Sequence, residues 1–126
     1  MTAVLDAGAL VAVDKRDRIV GAMLRVLHRD GVPVITSGGV VAQVWRDGSR
    51  QANLARVLSG VDVDALDDLT ARRVGELLRQ NRSDDLVDAA HVALLVQPND
   101  QVLTSDEPDI KALLRTRKVR ARLVPV

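Results

Sequence analysis

The chain has 126 residues, 18 basic and 17 acidic, a formal net charge of +1, and a hydrophobic fraction of 47%. These values suit one globular domain, exclude wholesale disorder and argue against a dedicated high-affinity DNA binder. The absence of cysteine excludes disulfide scaffolds, thiolate zinc sites and cysteine nucleophiles, and makes a reducing cytoplasm the expected compartment.

Ala3-Val4-Leu5 predicts a short first strand, stopped by Asp6 and Gly8. Arg18 to Arg29 carries Ile19, Met23, Val26 and Leu27 at helical spacing, and Gly31 stops it. Val32 to Thr36 predicts a second strand. Helices follow from about Gly39 to Arg46 and from Gln51 to Leu58, and Gly60 ends the latter. Val61 to Leu66 alternates weakly as a third strand. Asp68 or Thr70 is expected to cap a helix running to about Gln80, and Ser83 or Asp84 the next, from Leu86 to Val96. After the turn Pro98-Asn99-Asp100 come a fourth strand, Gln101 to Thr104, a helix, Glu107 to Arg115, and a fifth strand, Arg120 to Val124. No repeat, low-complexity tract or linker divides residues 1–126, which read as a single domain. No apolar run approaches the roughly 18 residues of a membrane span, and Asp6 stands where a signal peptide carries basic residues.

Strands alternating with helices predict an α/β fold with a mainly parallel, five-stranded sheet covered on both faces. In such sheets ligands sit beyond the carboxyl ends of the strands, where strand order reverses. That rule points to Asp6, after the first strand, and Asp106, after the fourth.

The acids call for an explanation. Asp6, Asp106 and Asp109 each have an ordinary reading as turn or helix-capping residues, Asp106 before a helix with Pro108 in its first turn. Asp88 fits less easily. In the eleven residues from Leu86 to Val96 only Asp88 and His91 are polar, so this helix is expected to be buried on most sides. A carboxylate there needs a cation or an exposed helix end, and the nearest preceding base, Arg82, is six residues away. Three acids converging on one pocket require a cation, and oxygen-only ligands suit Mg²⁺ or Mn²⁺. Such a site orients a phosphate and activates water without a histidine base or serine nucleophile. His28 reads as a surface residue, and His91, three residues past Asp88, as core or supporting rather than as a ligand.

Trp45 is the only aromatic residue, so base-stacking platforms are excluded and nucleic-acid contact would have to work through charge and metal. From Ile110 to the C-terminus there are six bases and no acid. That tail is either a solvated face or, with Arg46, Arg50, Arg115 and Arg117, a source of phosphate or partner contacts.

Four segments together resemble one family. They are Val4-Leu-Asp6-Ala-Gly-Ala-Leu, Ser37-Gly-Gly-Val-Val-Ala-Gln43-Val-Trp-Arg46, Asp85-Leu-Val-Asp88-Ala-Ala-His-Val-Ala-Leu, and Val102-Leu-Thr-Ser-Asp106-Glu-Pro-Asp109-Ile. In order and spacing they resemble the PIN-domain ribonucleases, and more narrowly the VapC-type toxins of bacterial toxin–antitoxin pairs. The resemblance spans essentially the whole chain. It implies a three-layer α/β/α sandwich with strand order 3-2-1-4-5 and a Mg²⁺- or Mn²⁺-dependent endoribonuclease. It also implies a homodimer that cleaves RNA and is silenced by a cognate antitoxin. Carried over by position, Asp6, Asp88 and Asp106 fall on the metal-binding catalytic acids, Asp109 on a further acid near the site, and Thr104 on a hydroxyl residue lining it. Gln43 departs from the pattern, since the family presents a glutamate there. An amide still offers an oxygen but no charge, so metal affinity is expected to fall. Asp85 reads as helix first-turn chemistry rather than a ligand.

Two enzymes of similar topology are disfavoured by the same residues. A receiver domain needs an acid pair after the first strand, where Asp6 stands alone, and an Asp-x-Asp phosphohydrolase fails on Asp6-Ala-Gly8. The remaining alternative is a PIN domain with weakened catalysis that serves as a binding or regulatory module, and Gln43 is its support.

Overall fold

The computed structural model describes all 126 residues. Five strands alternate with helices: β1 (Ala3–Leu5), β2 (Val34–Ser37), β3 (Asp62–Asp64), β4 (Gln101–Thr104) and β5 (Arg122–Pro125). They form one sheet in the order β3-β2-β1-β4-β5, with every pairing parallel. The helices are α1 (Ala7–Asp14), α2 (Arg18–Arg29), α3 (Gly38–Val44), α4 (Ala52–Leu58), α5 (Asp68–Asn81), α6 (Val87–Leu95) and α7 (Glu107–Arg117). α1 packs on α2, α3 and α4, while α5, α6 and α7 pack on one another, giving two helical layers with the sheet between them.

The core is centred on β1 and β4. Ala3, Val4, Leu5, Val102 and Leu103 are buried on both faces, as expected of central strands in a parallel sheet. Strand order reverses between these two strands, so a crevice opens at their carboxyl ends. The amino ends are held by Asp100, whose buried carboxylate accepts from the Thr2 and Gln97 amides.

Several elements differ from the sequence expectation. Asp6 does not end the chain's regular structure; it starts α1, which the sequence reading omits, by accepting from the Ala9 amide. With Gly8 in its first turn and apolar residues on nearly every side, α1 lacks the periodicity that marks an amphipathic helix. Gly8 is required by packing, because a Cβ there would collide with the Ser105 hydroxyl oxygen. β3 is three residues long, not six. Asp67, not Asp68 or Thr70, caps α5 through the Thr70 amide, and that hydrogen bond holds the Asp67 carboxyl below its ordinary value of 3.8. α6 starts without a side-chain cap, so neither Ser83 nor Asp84 plays that role.

Candidate functional site

Local backbone chemistry delivers the site residues from four elements. Asp6 follows β1 and caps α1; its Oδ1 accepts from Ala9 N at 3.0 Å, and its Oδ2 accepts from the Thr104 hydroxyl and the Ser105 amide. Thr104, the last residue of β4, in turn accepts from the Asp106 amide at 2.8 Å. One buried hydroxyl thus ties the segment after β1 to the segment after β4. Asp106 occupies the position before α7, as expected, but its carboxylate makes no capping hydrogen bond and is exposed. Asp88 lies in the first turn of α6, half-buried, and Gln43 lies near the end of α3.

Asp6, Asp88, Asp106 and Gln43 line one cavity of about 200 Å³ at the carboxyl ends of β1 and β4. Its walls include Asp6, Asp85, Asp88, Asp106, Asp109 and Gln43, with Val40, Leu86, Val92 and Ile110 as apolar backing. No lysine, arginine or histidine lines it. Five carboxylates with no neighbouring cation make a strongly negative, oxygen-lined space. Gly39 on α3 leaves the notch that holds Asp88, since a Cβ at Gly39 would lie 2.5 Å from Asp88 Oδ1.

The acids share the cavity but do not close on a single point. Nowhere in the chain do three or more carboxylate or imidazole groups converge closely enough to hold a metal ion. Asp6 is the most constrained of these acids. A carboxylate has about four acceptor positions. Three are taken by Ala9, Thr104 and Ser105, which saturates Oδ2 and leaves one on Oδ1. Thr104 therefore acts as the bridge that orients Asp6 and is absent from the cavity wall.

The four arginines singled out from the sequence lie outside the cavity wall. Arg46 folds back on the end of α3, donating to the carbonyls of Ala42 and Trp45. Arg50 pairs with Asp47 at 3.8 Å on the surface. Arg117 is turned inward, donating from Nη1 to the carbonyls of Ala93 and Val96 at the end of α6, and burial lowers its pKa. Its guanidinium is engaged with the end of α6, and Arg115 is the outward-facing member of the pair.

Sequence reasoning missed two residues near the site, Ser37 and Asp64. Asp64, at the end of β3, has the imidazole of His91 as its one side-chain partner, and that ring also contacts Ser37. The signal for this group is weak: three polar residues, two at strand ends and one on an apolar helix, with nothing in their spacing to join them.

No protein-family model matches the chain, and no curated protein matches it. Among solved structures it is similar to a chain in the crystal structure of VapBC2 from Rickettsia felis bound to a DNA fragment from their promoter. The TM-score is 0.69 at 19% sequence identity, over 98% of this chain and 99% of that one. The chain shares the overall fold of that chain, an α/β architecture with an all-parallel five-stranded sheet. At this identity the likeness is one of architecture. The strand order 3-2-1-4-5 and the crevice where order reverses are features of the chain's own topology. No helix is long and apolar enough to cross a membrane.

Proposed function

We propose that the chain is a Mg²⁺- or Mn²⁺-dependent endoribonuclease acting as the toxin of a toxin–antitoxin pair, with a cognate antitoxin as protein partner and a homodimer as the working form. The observation that carries this reading is the cavity at the ends of β1 and β4, walled by five carboxylates and an amide with no base among them. The likeness to a VapBC2 chain supports the same reading.

The donor set fits a hard divalent ion, which takes oxygen ligands and tolerates a partly hydrated shell. Asp88 and Asp106 offer carboxylates with no protein hydrogen bond, Asp6 offers its remaining Oδ1 position, and Gln43 offers an amide oxygen. A bound cation would supply charge neutralisation at a scissile phosphate and activation of water. The chain's own part is positional. Thr104 and the Ala9 and Ser105 amides fix Asp6 in one orientation, while Gly39 lets Asp88 approach α3. Asp109, at the rim on α7, adds negative charge that favours cation entry over anion entry.

A second reading, a binding or regulatory module with weakened catalysis, is favoured by Gln43 in the cavity wall and by the absence of three converging acids. One paired experiment separates the two. Mn²⁺ titration by calorimetry and cleavage of a fluorescent single-stranded RNA, with and without chelator, should both respond to Asp88→Asn. A chain that binds no Mn²⁺ site-specifically and leaves RNA intact is the module.

A further inference from the structure

Ser37, His91 and Asp64 form one hydrogen-bonded chain that takes no part in the cavity wall. His91 is 1% exposed; its Nδ1 lies 2.7 Å from Ser37 Oγ and its Nε2 lies 2.8 Å from Asp64 Oδ2. The residue types are those of a hydrolytic triad, but the geometry is not. Ser37 is fully buried, and its hydroxyl oxygen accepts from the Gly39 and Val40 amides as the N-cap of α3. It has no access to a substrate.

Counting hydrogens gives the direction of the chain. A serine hydroxyl has one hydrogen and two lone pairs, and Gly39 and Val40 occupy both lone pairs. Its hydrogen is therefore donated to Nδ1 of His91. The ring then carries its own hydrogen on Nε2 and donates it to Asp64.

One imidazole thereby joins four elements. Ser37 and Asp64 are register partners at the ends of β2 and β3, and Ser37 begins α3. His91 sits on α6, one turn beyond Asp88. The point where α3 is held to α6 is the point where Gly39 leaves room for Asp88. Gln43 lies one turn after Gly39, hence on the same face of α3.

We propose that His91 is a positioning residue. By accepting the Ser37 hydroxyl it holds the first turn of α3 against α6, and so sets Gln43 relative to Asp88 across the cavity. The consequence for metal binding rests on the ribonuclease reading above; the geometric claim does not. The link to Asp64 is secondary, because that side chain is 41% exposed and water can replace it.

Two conservative variants separate positioning from core filling. His91→Asn keeps an acceptor within reach of Ser37 and drops Asp64. His91→Gln reaches toward Asp64 and drops Ser37. Amide hydrogen exchange at Gly39 and Val40, thermal melting and Mn²⁺ titration are measured on the full chain. H91N should keep wild-type exchange at both amides and Mn²⁺ affinity within about twofold, while H91Q should exchange faster there and bind Mn²⁺ about tenfold more weakly. Equal exchange in the two variants overturns the assignment, whatever their melting temperatures. Should H91Q not fold, Asp64→Ala takes its place: wild-type exchange at Gly39 and Val40 is expected, and accelerated exchange refutes the proposal. If the wild-type chain binds no Mn²⁺, the metal reading fails while the exchange comparison still decides the role of His91.

Discussion

Gly39→Ala separates the stability of the fold from the arrangement of its cavity. In most helices this exchange stabilises, because glycine is about 0.8–1.0 kcal/mol less favourable than alanine. Here the new Cβ would lie 2.5 Å from Asp88 Oδ1 and 3.6 Å from its carboxyl carbon, about 1 Å short of ordinary contact with the oxygen. The obstruction is the tip of a side chain and not backbone, so the fold relieves it by swinging Asp88 aside. That movement offsets part of the propensity gain, and the net change in stability should fall within about ±1 kcal/mol. The ligand geometry responds differently. Breaking or stretching a charged interaction by that much costs roughly 1.5–3 kcal/mol, which is about ten- to hundredfold in affinity.

The assay is calorimetric Mn²⁺ titration beside a denaturant melt of wild type and Gly39→Ala. The expected outcome is a nearly unchanged midpoint with Mn²⁺ binding weakened at least about tenfold. Unchanged affinity at unchanged stability would mean that Asp88 takes no part in binding. A loss of stability beyond about 2 kcal/mol would mean that Asp88 cannot move, and that the notch is rigid.

Three further outcomes are expected. Gln43→Glu restores a negative charge to the cavity wall and should tighten Mn²⁺ binding and raise RNA cleavage about tenfold or more; no change in either would place Gln43 outside the ligand set. Arg117→Ala strips two donors from the carbonyls ending α6 and should destabilise by about 1–3 kcal/mol, whereas Arg115→Ala stays within about 0.5, as denaturant melts would report. Asp67 has a depressed carboxyl pKa, chiefly from the Thr70 amide, so its contribution is present above the ordinary value of 3.8 and is lost as pH falls through the lower folded value. Asp67→Asn should keep the cap and flatten that acid limb of stability, and an unchanged limb would assign it to other carboxylates.

Much of the fold was legible because parallel sheets leave strong marks. Short apolar strands bounded by Gly, Asp and Pro recur between helical segments, and every strand lies within about two residues of its expected bounds. α1 was not legible. A helix that is apolar all round has no period to detect, and Gly8 in its first turn reads as a stop until Ser105 is seen pressing against it. The strand-end rule pointed to Asp6 and Asp106, the apolar setting of α6 to Asp88, and the family resemblance to Asp109 and Gln43, and all five line one cavity. What spacing could not convey is the direction of each side chain. Asp6 has three of its acceptor positions filled by its neighbours, Arg117 points inward, and Thr104 works behind the cavity wall.

The division of labour among the acids follows from those directions. A carboxylate in a nearly buried position needs fixed donors, and Asp6, 5% exposed, has two amides and a hydroxyl. Asp106 and Asp88 need none of this help, because one is exposed and the other half-buried beside the cavity. The hydrogen-bonded acid therefore follows a central strand, and Asp88 and Asp106, without such bonds, stand at helix starts in the same cavity wall. On the proposed ribonuclease reading, Asp88 and Asp106 would adjust to a cation while Asp6 stays fixed by its donors.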